Sequence, residues 1–351
     1  MSSKLAVHRL AIGSVGALIC SGILVGALVF TPAKAAEPLL GLQRAVAEAQ
    51  KRSDVLGKER ARLHKDTLKA MALTARAGAD ASRRVGALAA LAVAEQREAT
   101  AAIGGLQATA AYRRARQALN EAVTDSVEQG EAIERAAARA VRGEVVPSVS
   151  DLLVCDGPDC LPVTAREHAA MVLMGAVGPT FDSTNWPGKD APSPITVLAY
   201  TPERPPLAEL RRAADEAAHQ AEAAGVEAGR LREELRGDPT QRAIAENYAG
   251  ARVKADAATA ERDAAEARLQ RALRNYADAG RALQRAALLA GDGYVLKSGG
   301  RQACNDLACV AAEGLEAAAF LVLGAAENMG DGLKSFERFL AAVPGGSLVF
   351  R

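Results

Sequence analysis

The residues of this chain best placed to do chemistry are four cysteines, which come as two pairs with one spacing. Cys155 and Cys160 bracket CDGPDC, and Cys304 and Cys309 bracket CNDLAC, 149 positions further on. In an exported chain such pairs most simply form two disulfides. Four thiols allow three connectivities. A spacing that recurs as a self-contained unit favours local pairing, each small loop contributing about 2 kcal/mol on the chain-entropy model. Pairing across the two copies would instead staple them together. Four thiolates could also hold zinc, but an oxidising compartment argues against it. Neither pair has the two-residue spacing of thioredoxin-like redox centres. Cys20 lies inside an apolar run and needs no role. His64 and His219 sit on charged stretches and His168 opens an apolar one, none beside a serine or cysteine in a nucleophile motif. No G-x-S-x-G, Walker loop, H-E-x-x-H or EF-hand spacing occurs. The reading is therefore non-enzymatic, with no catalytic residue, metal or cofactor assigned.

The cysteine pairs belong to a larger repetition. EHAAMVLMGA (167–176) returns as EAAAFLVLGA (316–325) at the same offset, and Leu39–Leu63 lies over Leu207–Leu231 at an offset of 168. We read a tandem duplication. The repeated runs, carried by Met171, Val172, Leu173, Met174 and Gly175 and by Phe320, Leu321, Val322, Leu323 and Gly324, are apolar on every side. Such a helix must be buried in a core, against a partner or partway into a membrane. At about ten residues, or 15 Å, neither can cross a hydrocarbon layer of about 30 Å. The expectation is that the two pack on each other around a pseudo-two-fold axis, with Gly175 and Gly324 allowing close approach.

Long helices must position these pieces. Leu207, Leu210, Ala214, Ala217, Ala221, Ala224, Ala228, Leu231 and Leu235 keep three-four spacing, as do Ile244, Tyr248, Ala251, Ala255, Ala258 and their successors to Ala286. Between them, Gly237-Asp238-Pro239-Thr240-Gln241 supplies a helix stop, a cap and a restart, so the pair is an antiparallel hairpin. The first copy holds the same spacing from Leu42 to Thr67, turns near 78–80 and runs on to about Arg142, with a kink expected at Gly104-Gly105. An arm of about 50 residues extends roughly 75 Å, so an elongated molecule is expected. The fold class is mainly all-α: two tandem units, each an alanine-rich helical hairpin plus a small disulfide-bearing head with a short apolar helix, and minor β structure within 145–206. The divisions are 1–35 for an export signal, 36–206 for unit one (hairpin 39–142, head 145–206) and 207–351 for unit two (hairpin 207–290, head and C-terminal helices 291–351). Leu333, Phe336, Phe339, Leu340 and Val343 form an amphipathic segment near the end.

Lys4 and Arg9 precede an uncharged run from Leu10 to Phe30, followed by Ala33-Lys34-Ala35, which reads as a signal peptide cleaved before Ala36. The run approaches the length of a membrane span, so an inner-membrane anchor is the alternative, and Leu10–Phe30 would then be the membrane contact. Both place the body outside the cytoplasm, in the periplasm or cell envelope. The chain has 49% apolar residues but only 3% aromatics, too few bulky side chains for a thick core. Charges of both signs alternate without a basic patch, which speaks against nucleic acid. These features imply a non-enzymatic interaction or scaffold protein, such as an accessory of a secretion or conjugation apparatus, that binds protein partners or itself through its helical seams. A component of an envelope transport channel with duplicated hairpins, as in efflux proteins, is the second expectation, and an enzyme of unrecognised type the third. No small-molecule ligand is indicated.

Overall fold

The computed structural model describes residues 38–77, 81–148, 151–178, 207–238, 242–312 and 314–327. The chain divides into Met1–Pro32 and Ala33–Arg351, and every described residue belongs to the second unit. The apolar run Leu10–Phe30, the strand-like run Ile195–Tyr200, Trp186 and the segment Leu333–Val343 lie outside the described residues. Among the described residues, no helix is long and apolar enough to cross a membrane.

Four long helices make two antiparallel hairpins. Hairpin one joins α1 (Leu39–Arg76) to α2 (Ala81–Val141), and hairpin two joins α4 (Leu207–Gly237) to α5 (Arg242–Gly291). Alanine, leucine, arginine and glutamate dominate these segments, all strong helix formers. The three-four seam of α4 is where the burial falls: Ala217, Ala221 and Leu231 are buried, and no seam position from Leu207 to Leu235 is exposed. Ser53 of α1 meets Thr109 of α2 at 3.4 Å, and His64 meets Glu98 at 2.8 Å, which sets the register of hairpin one. At 61 residues α2 spans about 90 Å. It runs as one helix through Gly104-Gly105; the i to i−4 ladder tolerates paired glycines because neither backbone group is lost.

A small head follows each hairpin. In head one, β1 (Leu153–Asp156) and β2 (Asp159–Pro162) form a two-stranded antiparallel ribbon leading to α3 (Ala165–Met174). In head two, β3 (Val295–Leu296), β4 (Gln302–Cys304) and β5 (Cys309–Ala311) form a three-stranded sheet leading to α6 (Leu315–Val322). The β structure is thus present in both heads rather than within 145–206 alone; strands of two or three residues carry no periodicity that a sequence could reveal.

The core lies where α2 and α5 cross. Val123 lies against Gly291, Gly130 against Gly280, and Glu134 accepts hydrogen bonds from Arg281 at 3.1 Å and Gln284 at 3.2 Å. From Val123 through Gly130 to Ala140 the neighbouring residue of α5 falls from Gly291 through Gly280 to Leu273, so the two helices run antiparallel through the crossing and the hairpins leave it in opposite directions. The contact is backbone on backbone: a Cβ added to Gly130 would stand 2.6 Å from the Gly280 carbonyl, and one on Gly280 would stand 2.6 Å from the Gly130 carbonyl. Only glycine permits that approach. Ile133, Ala136, Ala137, Leu283, Ala286 and Ala287 close around it, all buried.

Candidate functional site

Among the described residues, buried charge and the paired cysteines converge on the crossing and its two heads, and the site is built from the helix ends upward. After α2, Val146 donates to the Ala176 carbonyl at 3.0 Å and accepts from Gly178 at 2.9 Å; after α5, Leu296 donates to Ala325 at 2.9 Å and accepts from Glu327 at 3.0 Å. These bonds seat each short apolar helix beside the strand that precedes it. Each head then reaches across to the other hairpin. The N–H groups of Leu39 and Leu40, at the start of α1, donate to Leu323 and Gly324 of head two at 3.0 and 3.1 Å, while Ala208, at the start of α4, donates to Gly175 of head one at 2.8 Å. First-turn N–H groups have no partner inside a helix, so these bonds cap both helices. Side chains repeat the exchange: Gln43 of α1 donates to the Ala290 carbonyl at the end of α5, and Arg211 of α4 donates to the Ala140 carbonyl at the end of α2.

Gly175 and Gly324 have φ of 73° and 62°, the left-handed conformation that ends a helix and that side chains disfavour. Gly324 also faces Pro38 so closely that an added Cβ would stand 2.6 Å from the Pro38 Cβ. Gly324 therefore lies close against the residue before α1. Met171 and Met174 are buried with α3 chiefly against α2, and Phe320 is buried with α6 chiefly against α5. Val172, Leu173 and Leu321, Val322 and Leu323 are partly buried around the same core. The expectation that α3 and α6 pack on each other is corrected here: the long helices, with their glycine crossing, occupy the centre.

The cysteines stand at disulfide distance within each head, Cys155 to Cys160 at 2.07 Å and Cys304 to Cys309 at 2.01 Å. Both pairs are directly opposite across an antiparallel ribbon. In head one, Cys155 spends its own N–H and C=O on Val145, at 2.9 Å each, so its face toward Cys160 is the non-hydrogen-bonded kind that brings side chains closest. Asn305 shapes the turn of head two by accepting from the Leu307 and Ala308 N–H groups, both at 2.9 Å.

Head one holds a buried ionic cluster. Thr164 caps α3 by accepting from the Glu167 N–H at 3.2 Å. The Glu167 carboxylate, 4% exposed as a residue, accepts from Arg139 and lies 3.6 Å from Arg135. Arg139 also donates to Glu144 at 2.7 Å, and Arg142 donates to Glu144 at 2.8 Å. Burial alone would raise the Glu144 carboxyl, but the hydrogen bonds from Arg139 and Arg142 prevail and hold it below the usual carboxylate range. Hydrogen bonding to Glu144, opposed by burial, raises Arg139. His168 is buried and its Nε2 lies 3.0 Å from the Ser148 carbonyl. Sequence reading missed this cluster, although Thr164-x-x-Glu167 before an apolar run is a capping-box signal. It also missed a third stretch of correspondence at an offset of 150, in which Gly130, Arg135, Ala136, Ala140 and Gly143 recur as Gly280, Arg285, Ala286, Ala290 and Gly293.

Among the described residues of this region, no acid, base and nucleophile converge on an open cleft. The void between Ala140, Val145, Leu207 and Leu273 measures about 10 Å³, at the lower limit for one water. Among the described residues no group of three or more His, Cys, Asp or Glu is arranged to hold a metal. What the arrangement does is lock two hairpins and two heads together. No protein-family model, no curated protein and no solved structure matches the chain.

Proposed function

We propose that the chain is a tandem duplication whose halves clasp each other crosswise, and that it serves as a non-enzymatic, exported scaffold of the cell envelope. One observation carries the reading: each head caps the other half's hairpin, through Leu323 and Gly324 on α1 and through Gly175 on α4, while the hairpins leave the crossing in opposite directions. This is how a two-fold pair of single units would hold together, and the recurrence of Gly130, Ala140 and Gly143 at one offset supports it. A rigid centre with two projecting helical arms presents surfaces, whereas its buried chemistry is already spent on internal ion pairs. The paired cysteines and the Ala33-Lys34-Ala35 site support export, with accessory work in a secretion or conjugation apparatus as the process that such a body suits.

Fractionation of the native host with mass analysis of the chain tests it. Export predicts recovery from the envelope or periplasm, starting at Ala36 or retaining the N-terminal run as an anchor, with all four cysteines after Cys20 oxidised. Recovery from the cytoplasm with four free thiols overturns the reading.

A further inference from the structure

The outer half of hairpin one has an unusual surface. Along α1 the seam toward α2 passes through Leu63, Thr67, Ala70 and Thr74, and along α2 it passes through Ala87, Leu91 and Ala94; none of these is exposed. In an antiparallel pair, positions one residue beyond the seam on both helices turn to the same side. On that side lie Leu68, Met71, Val85, Leu88 and Leu106, between 48% and 69% exposed. Smaller residues, Ala61, Ala75, Ala92 and Ala99, all exposed, fill between them without charge. The only polar interruptions are Glu95 and His64, which is bonded to Glu98. The same side of hairpin two is charged, carrying Asp215, Glu222, Arg232, Arg252, Asp256 and Glu266, all exposed. Two hairpins of one make in one molecule thus differ in what they offer to the outside.

The apolar face is two helices wide, about 20 Å, and about 30 Å long, on the order of 600 Å² in footprint. That approaches the roughly 800 Å² per partner of a standard interface and exceeds what scattered exposed leucines would give. Its near absence of charge leaves no sign for a differently charged partner to read, and sets no like charges against each other if the face meets itself. Interfaces that are this apolar are typical of homodimers. We propose that this face is the contact between two copies of the chain, hairpin one against hairpin one, closing a four-helix bundle about a two-fold axis. The proposal deepens the scaffold reading by naming its partner, and it stands or falls separately from export.

Sedimentation of the exported chain at tens of micromolar, beside a double variant Leu88→Glu/Leu106→Glu, tests it. Both sites are exposed, so the variant should keep the wild-type helical signal and melting. Wild type should sediment as a dimer and the variant as a monomer, with at least a tenfold weaker association. Val226→Glu/Val253→Glu, at two exposed valines of hairpin two, should leave the dimer intact. A cysteine placed at Ala92 should cross-link between copies under oxidation. A monomeric wild type overturns the proposal, as does a dimer that survives Leu88→Glu/Leu106→Glu or one lost equally in the hairpin-two variant. A monomeric wild type that sediments with phosphatidylglycerol vesicles also overturns it, assigning the face to lipid.

Discussion

Head one is closed with charge and head two with carbon. Where Arg139, Glu144 and His168 sit behind hairpin one, Leu289, Tyr294 and Ala317 stand at the corresponding places behind hairpin two, and the glutamate that opens each apolar helix is kept in both with one arginine, Arg135 or Arg285. Glu167 is buried between Arg135 and Arg139, whereas Glu316 faces Arg285 alone at 2.6 Å, with the arginine side chain 60% exposed. The backbone bonds that seat the two apolar helices, from Val146 to Ala176 and from Leu296 to Ala325, nevertheless correspond. One scaffold therefore tolerates either a fully paired ionic cluster or an apolar fill, provided that the helix caps and the glycine turns are kept. The hairpins differ in the opposite sense: hairpin one is the apolar one outside, and hairpin two the charged one.

Removing one partner from the buried cluster should be the costliest way to break that comparison. Glu167→Ala leaves Arg135 with Glu131 and Arg139 with Glu144, and should cost about 3 kcal/mol, the upper end for losing hydrogen bonds to a buried charged group. Glu316→Ala should cost under about 1 kcal/mol, as for an exposed pair. Denaturant melts of both variants check it; equal losses would mean that the two heads are held alike.

Next in size is the seam of hairpin two. Ala217 is buried, so Ala217→Leu should push the arms apart and cost roughly 1 to 3 kcal/mol, while Ala217→Ser stays mild. Ala258→Leu, at a half-buried seam position, should fall in the same range. Thermal melts of the variants decide it. A stable Ala217→Leu would mean that the seam is not a tight contact.

A smaller, pH-dependent difference should separate the heads. The Glu144 carboxyl titrates below its unfolded value of about 4.3, so its contribution is fully present above that pH and is lost as pH falls through the lower, folded value. Head two has Tyr294 there and lacks this term. Amide exchange at pH 3 to 4 should therefore open 144–148 ahead of 294–296; simultaneous opening would assign acid lability to something common to both heads.

Much of this was legible in the sequence, for identifiable reasons. The hairpins were, because alanine and leucine at three-four spacing, stopped at Gly237 and restarted after Asp238, encode a seam locally. Local cysteine pairing was favoured by one spacing used twice. The ionic cluster was not, since Arg139 and Glu167 are 28 positions apart and nothing in an arginine-rich helix singles out the arginine that is buried. The glycine crossing was hidden among many helical glycines: Gly57, Gly225 and Gly250 have nothing near their open side, and only contact with a helix 150 residues away distinguishes Gly130. The crosswise caps are backbone bonds, which no side-chain pattern records.

The central claim is that each head secures the other half's hairpin, and amide exchange in two core variants of the full chain tests it most directly. Phe320→Ala hollows head two, and Met171→Ala hollows head one. The account predicts that Phe320→Ala speeds exchange at Leu39 and Leu40, at the start of α1, more than at Ala208, and that Met171→Ala does the reverse. If instead each variant loosens the start of the hairpin in its own half, with Met171→Ala releasing Leu39 and Leu40, the crosswise clasp is contradicted.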